Sequence, residues 1–267
     1  MKKNSLAIAL LAASLCSTSA FAGGFSQQAD AQVESKFSLE EMISFSKQVE
    51  KSLAQKGARV AIVSRIGRPA SELPEGVEYT HVAYWVYSSI KTADGREMPG
   101  YQVYNLYQKT GAIDHSELVN NFPPDFFAGV DSLKAGVIIP KPSLQAKLLK
   151  LIASDDYKKL HIPNYSVVAN PFNAQFQNCT EFTLDVLISA LYDTTDYKEI
   201  KANTVAYFKP QKIDLGAMKT TFGPLFVKDF STKDQNGPIL TATFGSIANF
   251  MKTYSLSDDI YHLEPTK

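Results

Sequence analysis

Residues 177–182 read Gln-Asn-Cys-Thr-Glu-Phe and stand directly before an apolar stretch that runs to about Tyr192. Asn178 has a side chain that favours the N-cap of a helix, and Glu181 follows three residues later, as in a capping box. The run predicts a helix that begins at Cys179 and packs against a sheet. A thiol in the first turn faces unpaired backbone N–H groups and the positive end of the helix dipole, which favour a thiolate.

Two aromatic and β-branched runs upstream predict a β-hairpin. Residues 79–88 and 101–108 have the composition of strands, and the turn between them centres on Asp94 and Gly95. The other expected elements are helices at residues 38–54, 142–154 and 246–254 and strands at residues 58–64, 136–140, 205–208, 224–228 and 239–244. The first of these helices has Ser38 and Glu41 in a capping box. The order of elements predicts an α+β fold with an antiparallel sheet packed against the Cys179 helix.

The N-terminus has the pattern of a bacterial signal peptide. Two lysines precede a short apolar segment at residues 6–15, and Ala-Phe-Ala at residues 20–22 supplies the small residues that signal peptidase needs. Cleavage is expected before Gly23. A lipoprotein signal needs a small residue before its cysteine, and Leu15 stands before Cys16 instead. We therefore expect a protein exported to the periplasm.

Cleavage of this segment would leave Cys179 as the only cysteine of the mature chain. Exported domains that use cysteine structurally use it in disulfide pairs, so a lone thiol needs another explanation. Its place at the predicted helix start makes Cys179 a candidate nucleophile. The alternative is a buried, inert cysteine that packs like a small apolar residue.

A nucleophilic thiol needs a base, and the hairpin offers one. His81 lies in the first strand and Asn105 in the second, so the hairpin can bring an amide oxygen beside the imidazole while the other ring nitrogen faces Cys179. Gln175 and Gln177 lie just before the thiol and, with the Cys179 backbone N–H, are candidate oxyanion donors. The alternative for His81 is a packing or hydrogen-bonding role within the strand.

Three segments carry a resemblance to a known group of families. Residues 81–87 (HVAYWVY), 102–106 (QVYNL) and 178–182 (NCTEF) resemble, in this order, the histidine strand, the strand of the third polar residue and the nucleophile motif of the circularly permuted papain-like families. These include the permuted NlpC-type amidases and peptidases and the lecithin:retinol acyltransferase group. The resemblance covers roughly residues 58–193.

The resemblance implies a fold and an activity. It implies a permuted papain-like core in which Cys179 attacks a carbonyl, His81 accepts and returns the proton, and Asn105 holds the imidazole tautomer. The third residue in the permuted families is often histidine or acidic, whereas papain-like enzymes also use asparagine. The whole mature chain further resembles an uncharacterised family of secreted bacterial proteins, through residues 65–67 (RIG), 79–83 (YTHVA) and 176–178 (FQN).

The domain organisation expected from these patterns is simple. A signal peptide at residues 1–22 and a flexible leader at 23–37 precede a permuted papain-like core at 38–199, and residues 200–267 form a C-terminal elaboration of the same domain. The chain is long enough for a substantial core, and 45% of its residues are hydrophobic.

Charge and motifs exclude several function classes. The 27 basic residues balance 27 acidic ones without a basic stripe, so nucleic acid and anionic membrane surfaces are poor partners. No nucleotide-binding glycine loop and no zinc-ligand spacing occurs, and we expect no cofactor and no metal. Beyond the signal segment, no stretch is long and apolar enough to span a membrane.

The sequence therefore favours a periplasmic cysteine hydrolase or acyltransferase that acts on an amide or ester bond. Cell-wall peptide is the favoured substrate, on the expected compartment and on analogy with the superfamily alone. The rival from another class is a non-catalytic binding or assembly protein on a papain-like scaffold, with Cys179 buried.

Overall fold

The computed structural model describes residues 35–92, 94–214 and 230–266. The predicted signal peptide, most of the predicted leader and the strand predicted at residues 224–228 lie outside the described residues. Among the helices that are described, none is both long and apolar enough to cross a membrane.

The fold is a mixed α+β arrangement built on an antiparallel sheet. Its strands, in chain order, are β1 Val60–Ile66, β2 His81–Lys91, β3 Glu97–Lys109, β4 Ala112–Asn121, β5 Ser132–Pro140 and β8 Ser257–Leu263. Within the described residues, the order across this sheet is β4-β3-β2-β1-β5-β8. A separate antiparallel pair consists of β6 Gln211–Ile213 and β7 Ile239–Thr241.

Helices pack against the sheet. They are α1 Leu39–Gln55, α2 Pro123–Phe126, α3 Pro142–Ile152, α4 Asp156–Lys159, α5 Cys179–Tyr192, α6 Tyr197–Tyr207 and α7 Phe244–Thr253. Helix α5 packs against β2 and β3, and α1 packs against α2 and β5. The predicted α+β class, with an antiparallel sheet and a helix that begins at Cys179, is confirmed.

Two apolar clusters lie on the two faces of the sheet, because successive side chains of a strand point to opposite faces. On β2, Val82 and Tyr84 belong to the cluster that contains Phe182 of α5, and we call this side the α5 face. Ala83 and Trp85 belong to the cluster that contains buried residues of α1 and α2, and we call that side the α1 face. The sheet is therefore buried on both sides along β2.

Local sequence signals predicted several elements correctly. Ser38 caps α1, since its hydroxyl accepts a hydrogen bond from the Glu41 backbone N–H over 3.2 Å while the Glu41 carboxylate accepts from the Ser38 N–H over 2.8 Å. β2 and β3 form the expected antiparallel hairpin. Gly95 lies in the turn with φ +83°, a left-handed conformation that glycine adopts without steric cost.

The structure also corrects the predicted order of elements. β4 and β8 were not expected, and Asp258 and Asp259 lie within β8. Within the described residues, β4 and β8 are the edge strands of the sheet. Polar and charged side chains are common in edge strands, so the alternation of apolar residues is weak there. Residues 205–208, predicted as a strand, belong mostly to α6, which Asp196 caps by accepting from the Lys198 N–H over 2.9 Å.

Candidate functional site

Helix α5 begins at Cys179, and Asn178 is its N-cap. The Asn178 side-chain oxygen accepts hydrogen bonds from the backbone N–H groups of Thr180 and Glu181, over 3.1 and 2.9 Å. Its amide nitrogen donates to the Val167 carbonyl over 3.0 Å. One side chain thus satisfies two unpaired donors of the helix and ties the first turn to a neighbouring loop.

Glu181 does not complete the predicted capping box. Its Oε1 accepts a hydrogen bond from Lys201 Nζ over 2.7 Å, and its Oε2 has no hydrogen-bond partner among the described residues. Lys201 is on α6, which packs beside α5. Because this buried ion pair takes the carboxylate away from the Asn178 backbone, Asn178 caps the helix by itself.

The predicted oxyanion role of Gln177 is not supported by its contacts. The side chain is fully buried, and its amide nitrogen donates to the Leu160 carbonyl and to Asp185 Oδ2, over 3.1 and 2.8 Å. Its oxygen accepts from the Ile162 N–H over 2.9 Å. The amide therefore holds protein groups together, and its oxyanion role stays a prediction. Gln175 lies in an exposed turn, and its oxyanion role stays a prediction.

Cys179 lines a cleft at the N-terminus of α5. The thiol is 3% exposed, and its sulfur lies 3.7 Å from Thr180 Oγ1. The cleft is small, with a volume of about 60 Å³, and it opens to solvent. Its walls are apolar and hydroxyl-bearing: Pro74, Val77, Tyr79, Thr80, Tyr165, Val167, Val168, Asn178, Cys179, Thr180, Ile213, Thr241, Ala242 and Thr243. Among the described residues, no Asp, Glu, Lys, Arg or His lines this cleft.

His81 and Asn105 are brought together as predicted. Asn105 Oδ1 accepts a hydrogen bond from His81 Nε2 over 3.0 Å, and Asn105 Nδ2 donates to Asn121 Oδ1 over 2.8 Å. Because the Asn105 nitrogen faces Asn121, its oxygen faces the imidazole, and His81 carries its proton on Nε2. The three side chains form a buried polar chain across β2, β3 and β4.

This polar chain lies on the α1 face of the sheet, and the electrostatic surroundings of Tyr107 on that face include Cys179. The His81 ring stacks on Tyr107 with centroids 4.6 Å apart and lies 5.6 Å from the Phe126 ring of α2. The neighbouring Arg65 donates to the Phe126 carbonyl on the same side. Cys179 belongs to the apolar cluster of the α5 face. The pairing of Cys179 with His81 stays a prediction.

Burial sets the protonation state of His81. Loss of solvent holds the pKa of the imidazole well below its ordinary value, the Arg65 guanidinium acts in the same direction, and the Asn105 hydrogen bond opposes both. His81 is therefore neutral at physiological pH. Among the described residues, no group of three or more His, Cys, Asp and Glu side chains is arranged to hold a metal ion.

Sequence reasoning missed two features of this region. The residues of the His81 segment that line the cleft are Tyr79 and Thr80, which directly precede β2. The second is the buried cluster of Glu181, Asp185 and Lys201. Two acids one turn apart in an otherwise apolar helix were the available signal for it, since buried carboxylates need a partner.

Comparison with known proteins identifies a family. No curated protein and no solved structure shows significant similarity to the chain. A family profile matches residues 52–251, well over half of the chain. The chain belongs to the bacterial family described as "Uncharacterized protein conserved in bacteria (DUF2145)".

Proposed function

We propose that this protein is a non-catalytic binding or assembly protein of the bacterial periplasm, and that the cleft beside Cys179 is its ligand site. The observation that supports this proposal is the lining of that cleft, in which no His, Asp, Glu, Lys or Arg side chain stands beside the thiol among the described residues. The described walls of the cleft carry no ionisable side chain besides the thiol and two tyrosines, which suits an uncharged, largely apolar group.

Hydrolysis by Cys179 would need a general base beside the thiol, and among the described residues no His, Asp or Glu side chain lines the cleft. A general base must come within hydrogen-bond reach of the proton that it removes. The polar groups beside Cys179 are hydroxyls and the Asn178 amide, and Thr80 Oγ1 already accepts from the Gly67 N–H over 2.7 Å. The amide nitrogen of Gln177, a candidate oxyanion donor, already donates to the Leu160 carbonyl and to Asp185.

A second candidate is the cysteine hydrolase or acyltransferase on a permuted papain-like scaffold. It is favoured by the capped helix that begins at Cys179 and by the His81–Asn105 hydrogen bond, which is the orienting contact that such a site requires. Its substrate would be an amide or ester, with cell-wall peptide favoured by the expected compartment. This function requires a state in which His81 faces α5.

Alkylation of the thiol separates the two candidates. After signal cleavage Cys179 is the only thiol, so iodoacetamide labelling reports on it alone, and Cys179→Ser provides the blank. A binding protein should label slowly between pH 6 and 8, and His81→Ala should change the rate no more than Val103→Ala, which removes buried volume from the same face. Rapid labelling below pH 8 that His81→Ala abolishes and Val103→Ala preserves would favour the hydrolase.

Two further measurements test the ligand site and the compartment. Nile red, a neutral apolar dye, should bind the wild type, and Ala242→Trp should weaken binding by filling the cleft. Ala54→Trp, on the exposed side of α1, is the control and should leave binding unchanged. Equal binding by both variants would count against the cleft. The exported protein should begin at Gly23, as measured by mass spectrometry.

A further inference from the structure

A buried ionic cluster lies directly behind the Cys179 turn. Glu181 and Asp185, one turn apart on α5, both contact Lys201 Nζ of α6, each over 2.7 Å. Both carboxylates are fully buried, and the lysine side chain is 9% exposed. The Tyr197 ring lies 5.7 Å from the same ammonium group. Charges taken so far from water require near-complete compensation.

The charges of the cluster do not balance if every group is ionised. Two carboxylates and one ammonium group leave one buried negative charge, and Asp234 adds a third carboxylate in the electrostatic surroundings of Glu181. The two acids on α5 are not equivalent. Asp185 receives a hydrogen bond on each oxygen, from Lys201 and from Gln177 over 2.8 Å, whereas Glu181 Oε2 has no hydrogen-bond partner among the described residues.

We propose that Glu181 carries a proton on Oε2 at neutral pH, and that this proton stabilises the first turn of α5 and the adjoining cleft. The cluster of Glu181, Asp185 and Lys201 then acts as a pH-sensitive switch. With this proton, Lys201 and Asp185 form a balanced pair and Glu181 is neutral. Without it, Glu181 and Asp185 repel one another inside the protein. The Glu181 backbone N–H binds the Asn178 cap, and Asn178, Cys179 and Thr180 line the cleft, so a displacement of this turn alters the cleft.

The electrostatic surroundings of Glu181 agree with this assignment. Burial raises the pKa of the Glu181 carboxyl well above its ordinary value, Lys201 opposes that shift, and Asp185 and Asp234 add to it. Tyr197, the other titratable group that faces the cluster, has a raised pKa because of burial and the two α5 carboxylates. Burial and the two neighbouring carboxylates thus favour the protonated form of Glu181, and Lys201 opposes it.

The sign of the pH dependence follows from linkage. Unfolded Glu181 releases its proton near its ordinary pKa, whereas the folded protein retains it to higher pH. The folded state therefore binds more protons in this window, and stability falls as pH rises through it. For one such proton, the unfolding equilibrium constant should rise by about tenfold per pH unit between the two pKa values.

Urea unfolding of the mature protein between pH 5 and 9 tests the proton. Glu181→Gln keeps the shape of the protonated acid but has no proton to release. Its unfolding equilibrium constant should therefore rise less steeply with pH than that of the wild type, by about tenfold per pH unit. Glu199→Gln, an exposed glutamate in the first turn of α6, is the control and should follow the wild type. A Glu181→Gln curve parallel to the wild-type curve would overturn the proposal.

A second measurement does not depend on whether the variant folds. Carbon-13 NMR of the glutamate carboxyl groups in the wild type should show one glutamate that stays protonated at pH 7. A set of glutamates that are all ionised at pH 7 would also overturn the proposal.

The role at the cleft rests on the proposed function and has its own measurement. Nile red binding should weaken as pH rises in the wild type and stay constant in Glu181→Gln. If Glu181 titrates while Nile red binding by the wild type stays constant with pH, the proposed role of Glu181 at the cleft is overturned. Absence of dye binding at every pH would count against the proposed ligand site, whereas the urea and NMR titrations would still decide the proton.

Discussion

Thr80 and His81 are neighbours in the chain, but their side chains make different contacts. Thr80 lines the cleft together with Cys179, and its hydroxyl accepts from the Gly67 N–H. His81 stacks on Tyr107 on the α1 face. The cleft is thus lined by the two residues that precede β2, Tyr79 and Thr80, and the strand itself begins at His81.

The described contacts of His81 favour a structural role, and its pairing with Cys179 stays a prediction. Its Nε2–H donates to Asn105, its ring stacks on a tyrosine, and burial keeps it neutral. A buried, hydrogen-bonded histidine of this kind fixes the alignment of three strands. This role predicts effects on stability that can be separated from effects on thiol reactivity.

Asn105→Ala should destabilise the protein without changing Cys179 reactivity. The substitution leaves His81 Nε2 and Asn121 Oδ1 without this partner in a buried setting, which should lower the free energy of unfolding by about 1–3 kcal/mol. Urea unfolding and iodoacetamide labelling of the same sample measure both effects. Asn105→Asp is the matched control, since it retains the acceptor for His81. An unchanged stability together with slower labelling would indicate instead that Asn105 orients a catalytic base.

His81 should make the protein less stable in mild acid. Its folded pKa lies below the ordinary value of 6.5, so the unfolded chain takes up a proton there while the folded chain does not. Stability should therefore fall as pH decreases below about 6.5. Urea unfolding between pH 5 and 7.5 measures the slope, and His81→Gln, which retains hydrogen-bonding capacity, should reduce it. Since Glu181 gives the opposite slope in part of this range, each variant is compared with the wild type at every pH.

Local signals made some parts of the fold predictable from sequence. The Ser38–Glu41 capping box, the turn at Gly95 and the Asn178 cap each depend on residues close together in the chain. The interactions that stabilise these features are short-ranged, so the same sequence pattern forms the same local structure in most proteins. This is why the start of α5 was predicted to the residue.

The side of the sheet on which the His81 side chain lies could not be predicted in the same way. The first six residues of β2 are all buried, so both faces of the strand are packed and the two-residue alternation carries no information about which face meets α5. The contact of Lys201 with Glu181 and Asp185 likewise depends on how α6 packs on α5. The buried acids signalled that a cation was needed, but 20 residues separate Glu181 from Lys201 and no local pattern joins them.

Gly136→Ala should destabilise the junction between β5 and the start of α7. A Cβ at this position would lie 2.5 Å from Ser64 Oγ and 2.7 Å from Phe244 Cε1, both closer than real Cβ contacts. Phe244 is the first residue of α7 and is buried, so it has little room to withdraw. Overpacking of this kind costs about 1–3 kcal/mol. Thermal unfolding measures the loss, and Gly237→Ala, where an added Cβ meets no atom within 4 Å, is the control.

Asn178→Ala should weaken both the helix start and the cleft wall. Loss of an N-cap costs about 0.5–2 kcal/mol, and the Asn178 amide also bonds to Val167 and to Thr241, over 3.0 and 3.3 Å. We therefore expect a loss toward the upper end of that range. Asn178→Asp keeps the capping oxygen and removes the donor, so it should retain much of the stability. Equal losses in the two variants, measured by urea unfolding, would show that the cap itself contributes little.

Lys201→Met should be the most damaging of these substitutions, because it removes the only cation that contacts Glu181 and Asp185 among the described residues. Breaking a buried ion pair by removing one partner costs about 3–5 kcal/mol. If Glu181 is already protonated, only Asp185 is left with an unpaired charge. The double variant Lys201→Met with Asp185→Asn should then recover most of the loss, whereas Lys201→Met with Glu181→Gln should recover little. Urea unfolding at pH 7 compares the two. Recovery in the second double variant and not in the first would assign the buried charge to Glu181 and contradict the proton proposed there.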